Sequence, residues 1–392
     1  MFVTRLKNIR ENLKERKLDA VFISSVSNIT YLTGYANFSK EEREAYLIIG
    51  NNLQYIITDG RYTHAIKKQV PHFELFERSH QTPTEQLFKK LKNQIKILGI
   101  EEDNLTVLEA KLVKKHFKTT KHFKLNRSIK TPDEIKKIKK ACKIGDLAFE
   151  YILKQIKIGV TEKEIANKLE DFIKGQGGEF SFPAIVAFGK NSAIPHHQTG
   201  QTVLGLSTHS TVAQGRTELV ERATRSAVRL SSPSKSRSGR EGLIVLLDFG
   251  VKWENYCSDM TRTVFFGKPI RKQQEMYEVA LEAQKKAVDY INSTKQVQSA
   301  DVDKVARDYI KSKGYPNLPH SLGHGIGLEV HEHPSLSPKS KEVLKTGMVF
   351  SIEPGIYIPM FGGVRIEDLY TIRNERLEQI TKAVPIACTI VH

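Results

Sequence analysis

Apolar positions in the first third of the chain follow two alternating patterns. Short solid runs read as buried strands: DAVFISS (Asp19–Ser25), AYLIIG and QYIITDG (within Ala45–Gly60) and ILGIEE (Ile97–Glu102). Between them the apolar residues recur at helical spacing, as in MFVTRLKNIRENLKERK at the start. Strands alternating with amphipathic helices predict an α/β domain over residues 1–126. This stretch gathers no histidine, cysteine and acid cluster of the kind that holds a metal. Its basic segment KKHFKTTKHFK (Lys114–Lys124) interleaves aromatics and reads as a surface helix or strand before a boundary.

Residues 127–131 read as a linker, and the second domain as 132–392. Thr131 suits an N-cap, Pro132 the first helical position, and Glu134 closes a capping box. A second box, Thr161 with Glu164, opens TEKEIANKLEDFIKGQ, which Gly177 and Gly178 end. A strand over Ala184–Phe188 leads through a polar turn to Pro195-His196-His197. Further on, RKQQEMYEVALEAQKKAVDYINS and DVDKVARDYIKSKG read as two more helices.

The pattern is sharpest over Leu243–Gly267. Leu243–Phe249 is an apolar run that carries Asp248, Tyr256–Phe266 alternates and carries Asp259, and VKWEN between them reads as a tight turn. A turn centred on Trp253-Glu254 pairs position 248 with position 259. Opposed residues of an antiparallel pair have Cβ atoms about 4.5–5.5 Å apart. Two aspartates that close repel unless a cation lies between them, and a metal supplies it.

Composition narrows the classes. A chain of 392 residues with 39% hydrophobic content has room for two domains and a core. No apolar run approaches the roughly 18 residues of a membrane span, and the charged N-terminus shows no secretory signal. Three widely spaced cysteines, Cys142, Cys257 and Cys388, indicate a reducing, cytoplasmic setting and free thiols. The net charge of +17 is mostly lysine spread along expected helices, and no recognition motif accompanies it, so it argues for a solvated surface against nucleic-acid binding. Residues 205–241 depart from the rest. After Gly205 they hold six arginines, one lysine and no aromatic residue, and their tail SSPSKSRSGRE has a disordered composition. They read as an atypical insertion, with one weak helix at Thr217–Leu230.

The candidate chemistry lies in the last third. HSLGHGIGLEVHEHPSL places His320, His324, His331 and His333 among glycines, in a pattern unlike a core and unlike the helical H-E-x-x-H motif. A strand over Met348–Ile352 delivers Glu353. GGVRIEDLYTI makes another strand, on which Arg365 and Glu367 face the same way. Four carboxylates (Asp248, Asp259, Glu353, Glu367) with one or more histidines suit two hard or borderline divalent ions such as Mn²⁺, Co²⁺ or Zn²⁺. Such a pair activates a hydroxide and polarises a carbonyl, which points to metal-assisted hydrolysis.

With these residues in view, the chain resembles the pita-bread metallopeptidases: methionine aminopeptidase, aminopeptidase P and prolidase. The order Asp, Asp, His, Glu, Glu resembles their ligand set, and HSLGHGIGLEVHE resembles the signature of prolidase and aminopeptidase P. The resemblance implies a creatinase-type α/β N-terminal domain followed by an α+β pita-bread domain with a curved, mainly antiparallel sheet. It implies Asp248, Asp259, His324, Glu353 and Glu367 as ligands of two metal ions, most simply Mn²⁺, with Glu353 also the general base. His196, in preference to His197, would face the substrate. His331 and His320 match further active-site histidines, and Arg365 would brace the site. The implied activity is hydrolysis of the bond between an N-terminal residue and proline in a peptide, by a homodimer or homotetramer. A non-catalytic pita-bread module binding protein or nucleic acid, or an enzyme impaired by the 205–241 insertion, is the alternative.

Overall fold

The computed structural model describes residues 2–205, 242–383 and 390–391. All but Gly205 of the expected insertion, with its helix at Thr217–Leu230, lies outside the described residues. The chain divides into two compact units, Met1–Arg127 and Ser128–His392.

The first unit holds six strands: β1 (Ala20–Ile23), β2 (Ala45–Gly50), β3 (Gln54–Asp59), β4 (Glu74–Arg78), β5 (Ile97–Ile100) and β6 (Thr119–His122). They form one mixed sheet in the order β4-β3-β2-β1-β5-β6. Five helices accompany them: α1 (Phe2–Arg16), α2 (Val26–Thr33), α3 (Thr63–Gln69), α4 (Thr84–Leu91) and α5 (Val107–His116). Both faces of the sheet are buried, which explains the solid apolar runs. Val21 and Ile23 pack with Leu6, Ile9 and Leu13 of α1, while Ala20 and Phe22 pack with Leu87, Phe88 and Leu91 of α4. Strands β4 and β6 lie at the two edges, where the sequences ELFER and TTKH need no continuous apolar run. The basic segment Lys114–Lys124 covers the end of α5 and the edge strand β6.

In the second unit α6 (Pro132–Leu153) and α7 (Glu162–Gly175) both begin with the expected capping boxes. They cover one face of a sheet ordered β20-β12-β9-β8, made of β8 (Ile185–Phe188), β9 (Leu243–Phe249), β12 (Met260–Phe266) and β20 (Ile390–Val391). Helices α8 (Arg271–Ser293) and α9 (Ser299–Ser312) share a second core with β14 (Glu332–Leu336), β15 (Val349–Ile352), β18 (Asp368–Arg373) and β19 (Arg376–Gln379), and with Leu322 just before β13 (Gly323–Gly325). These five strands form a sheet ordered β14-β13-β15-β18-β19. Two small assemblies complete the unit: β7 (Glu179–Phe180) with β10 (Val251–Trp253) and β11 (Tyr256–Cys257), and the hairpin β16 (Gly355–Ile358) with β17 (Gly362–Arg365). Every strand pair here is antiparallel except β12 with β20.

Two local expectations are corrected. Residues Val251–Trp253 are a strand, and the turn is Glu254-Asn255, both at positive φ (45° and 71°). Such a two-residue turn requires left-handed backbone at both central positions, which Asn255 tolerates and Trp253 resists. The register therefore shifts by two, and Asp248 lies opposite Thr261. Asp259 is two residues from that partner and so on the same side of the pleat, diagonal to Asp248. The second correction concerns GGVRIEDLYTI. It forms two strands in different sheets, β17 ending at Arg365 and β18 beginning at Asp368, with Ile366 and Glu367 between them.

Candidate metal centre

Four chain segments bring their acids to one place because each ends or breaks a strand there. Asp248 is the next-to-last residue of β9, Asp259 lies just before β12, Glu353 just after β15, and Glu367 between β17 and β18. His324 stands in the middle of β13, whose flanking glycines allow tight packing. A Cβ on Gly323 would collide with the Ser351 carbonyl oxygen, and one on Gly325 with that of His333.

Asp259, His324 and Glu367 each offer a ligand atom, all within 4.8 Å of one another. His324 also lies beside Glu353, with Nε2 3.4 Å from Oε1 and 3.6 Å from Asp259 Oδ2. Its Nδ1 is 3.1 Å from the Gly325 carbonyl, which can only accept, so Nδ1 carries the proton. Burial, with His331 beside it, pushes the His324 pKa down to about 4. The neutral ring therefore turns the lone pair of Nε2 toward two carboxylates.

That arrangement is repulsive without a cation, and the acids show the same stress. Buried oxygens Asp248 Oδ1, Asp259 Oδ1 and Glu367 Oε1 have no hydrogen-bond partner among the described residues. Burial raises the carboxyl pKa of all four acids. After burial, Glu367 and Asp248 act on Asp259, and Glu367 acts on Glu353. Glu367 itself reaches about 7. Orphaned carboxylate oxygens, a deprotonated imidazole nitrogen and mutually repelling acids fit divalent metal ions.

The surrounding groups form a directed network. Arg365 is buried and donates through Nη2 to Asp248 Oδ2, through Nε to Thr261 Oγ1 (2.9 Å) and through Nη1 to Tyr357 Oη (2.9 Å). Thr261 then donates to Glu367 Oε2 at 2.7 Å. Tyr357 donates to His320 Nε2 at 2.9 Å, because His320 Nδ1 is committed to the Ser321 carbonyl at 2.8 Å. Burial lowers the His320 pKa to about 4, so this ring is also neutral.

The remaining predicted residues lie around this network. His320 Nδ1 is 3.9 Å from Glu353 Oε2. His331 is exposed and meets the His324 ring at a centroid distance of 4.4 Å. His196 is exposed, and its charge acts on Asp248, His320 and His331. His197 turns away, with Nε2 2.9 Å from Glu162 Oε2. Sequence reasoning missed Thr261, Tyr357 and Glu162. Thr261 had a signal, since alternation from Asp259 puts it on the same face. Glu162 looked like one more helical acid, yet it is fully buried and accepts from Phe188 N–H, Asn191 Nδ2 and Gly200 N–H as well as facing His197. Cys142 and Cys257 are buried and form no disulfide, and Cys388 lies outside the described residues.

A neutral histidine and clustered buried acids, held at the strand ends of a mainly antiparallel sheet backed by helices, define a metallohydrolase. Residues 136–374 match metallopeptidase family M24, and residues 5–131 match the creatinase/prolidase N-terminal domain. The chain belongs to metallopeptidase family M24. It is similar to an uncharacterised peptidase of Staphylococcus aureus strain MW2, 34% identical over 97% of this chain and 99% of the relative. Among solved structures it is similar to an Xaa-Pro dipeptidase from Bacillus anthracis, with 33% identity, TM-score 0.83, and coverage of 100% of this chain and 99% of that one. It is also similar to an X-Pro aminopeptidase from Thermotoga maritima, with 30% identity, TM-score 0.75, and coverage of 96% and 97%.

Proposed function

We propose that this metallopeptidase hydrolyses the peptide bond between an N-terminal residue and a following proline, as an Xaa-Pro aminopeptidase or Xaa-Pro dipeptidase. The observation that carries the metal chemistry is the set of three unpartnered buried oxygens, Asp248 Oδ1, Asp259 Oδ1 and Glu367 Oε1, beside a neutral His324. The proline specificity rests on the similarity to enzymes named for it.

Asp248, Asp259, His324, Glu353 and Glu367 would hold two divalent ions, Mn²⁺ ahead of Co²⁺ or Zn²⁺. When bound, the ions supply Lewis acidity and lower the pKa of a coordinated water. Glu353 is the general base. Its carboxylate lies beside His324 and His320 and would take a proton from the attacking water and pass it to the leaving amine. Arg365 holds Asp248 in orientation and neutralises part of the acid cluster. His196 and His331, both exposed, contact the peptide. His320, neutral and oriented by the Ser321 carbonyl and by Tyr357, lies beside Glu353. The protein works in the cytoplasm as a homodimer or homotetramer.

The test is hydrolysis of an Xaa-Pro dipeptide and an Xaa-Pro-Yaa tripeptide, with Mn²⁺ and after chelation. Metal-dependent cleavage of the tripeptide makes the protein an aminopeptidase, and cleavage of the dipeptide alone makes it a dipeptidase. Absence of cleavage with metal bound would refute the proline specificity, and absence of bound metal would refute the reading altogether.

A further inference from the structure

Residues 315–322, between α9 and β13, form no helix or strand, so no ladder of hydrogen bonds fixes His320. The position of an irregular segment is set by whatever satisfies its backbone groups. Here one ion pair on α9 does so. Asp303 is fully buried and Arg307, one turn further, is largely buried. Arg307 Nε donates to Asp303 Oδ2 at 2.5 Å and Nη2 to Oδ1 at 3.0 Å.

The pair also bonds backbone at His320 and on both sides of it, and Arg307 Nη1 lies 3.4 Å from Asn317 Oδ1 as well. Arg307 Nη1 donates to the Leu318 carbonyl, and Nη2 to the His320 carbonyl at 2.5 Å. Asp303 Oδ1 accepts from Leu322 N–H at 3.0 Å. The Leu322 carbonyl in turn accepts from Glu353 N–H at 2.8 Å. Alternate residues 318, 320 and 322 are thus tied to one side-chain pair, and the last tie reaches the general base.

We propose that Asp303 and Arg307 are positioning residues: their buried pair fixes the backbone of His320 and, through Leu322, the strand end that presents Glu353. Helix α9 thereby sets the separation of that imidazole and that carboxylate. The inference rests on the peptidase reading above for its effect on rate, and on the geometry alone for its effect on His320. A surface ion pair at i,i+4 would leave both unchanged.

The decisive variant is Arg307→Lys in the full chain, with Arg271→Lys, at an exposed i,i+4 pair on α8, as control. A lysine keeps the charge opposite Asp303, but one ammonium cannot span two carbonyls and a carboxylate in the guanidinium's geometry. Five quantities are measured: Tm, metal content, kcat, KM, and the histidine ring signals of the metal-free protein by NMR, with His320 assigned through His320→Gln. The expected result is a folded protein with unchanged metal content and KM within about twofold. Its kcat falls about 10- to 100-fold, the cost of a displacement near 1 Å, and its His320 signal is displaced while that of exposed His333 is not. Wild-type kcat with an unmoved His320 signal overturns the inference and leaves the peptidase reading intact. If the parent protein cleaves neither peptide, the peptidase reading fails, and the NMR comparison still decides whether Arg307 sets His320. Should Arg307→Lys not fold, Asp303→Asn, which retains an acceptor for Leu322 N–H, is read the same way.

Discussion

Metal removal is expected to make the stability of this protein fall as pH rises through neutrality, against the usual trend for paired carboxylates. The sign follows from the acids of the centre. Glu367 has an ordinary value near 4.5 and reaches about 7 in the metal-free fold. A raised folded-state value means that the native protein holds the proton more tightly than the unfolded chain. Its favourable contribution is complete below about pH 4.5 and is lost as pH climbs through about 7. At 1.36 kcal/mol per pH unit, that carboxyl alone accounts for on the order of 3 kcal/mol between those limits. Asp259 and Glu353 are raised well above their ordinary values and act in the same direction. Bound metal reverses the effect, because its ligands must be ionised and its affinity therefore grows with pH. At a hundredfold excess over Kd, metal adds about 2.7 kcal/mol. For a catalytic unit of this size each kcal/mol moves Tm by about 2–4 °C. The Tm of Mn²⁺-loaded protein should therefore exceed that of chelated protein by a few degrees at pH 5 and by about 10 °C or more at pH 8. The assay is thermal unfolding of both forms between pH 5 and 8, with Glu367→Gln expected to flatten the metal-free curve above about pH 6.5; below that, His320 and His324, held near 4, act in the opposite sense. A gap that stays constant with pH, or a metal-free Tm that rises through pH 7, refutes the reasoning.

Other perturbations probe the parts separately. Arg365→Met leaves Asp248 Oδ2 without its cation and should cost about 3–5 kcal/mol in denaturant unfolding of the metal-free protein. Added Mn²⁺ should recover part of that loss. Gly325→Ala drives a Cβ into the backbone carbonyl of His333, which cannot yield as a side-chain end would. It is expected to displace His324 and lower metal content below two ions per chain by elemental analysis. Glu162→Gln replaces an acceptor of the Phe188–Gly200 segment with a donor facing Gly200 N–H or His197. A loss of about 1–3 kcal/mol is expected from the unfolding midpoint, and His197→Ala should lose less, because the other donors to Glu162 remain.

Legibility in the sequence followed how each residue departs from its local pattern. A carboxylate that ends or breaks an apolar strand run is visible at once, and Asp248, Glu353 and Glu367 all announce themselves that way. His324 is visible because the glycines beside it forbid the helix that its neighbours would otherwise suggest. The buried strands β1, β2, β3 and β5 are visible because two cores claim their two faces. Edge strands β4 and β6 are not, since polar side chains serve an edge as well as they serve a loop. The β9–β12 hairpin was legible in kind and misread in register. The apolar pattern fixes which residues face inward, but the turn fixes what lies opposite what. Backbone conformation at Glu254 and Asn255 decided between two registers that bury the same faces.

What stayed hidden is the layer that orients the proposed ligands, and the reason is physical. Glu162, Asp303 and Arg307 are polar residues at positions where an amphipathic helix routinely carries polar residues. An Asp and an Arg four apart on a helix have the spacing of an ordinary solvated pair. Only tertiary structure shows that Asp303 is fully buried, that Arg307 is largely buried, and that they also bond the backbone of Leu318, His320 and Leu322. Burial raises the stakes of each such bond, because an unpaired charge there has no water to turn to. The residues proposed to hold a metal thus carry chemistry that the sequence displays. The residues that aim them are chosen for an environment that only the fold creates, and substitutions among them should change rate at constant metal content.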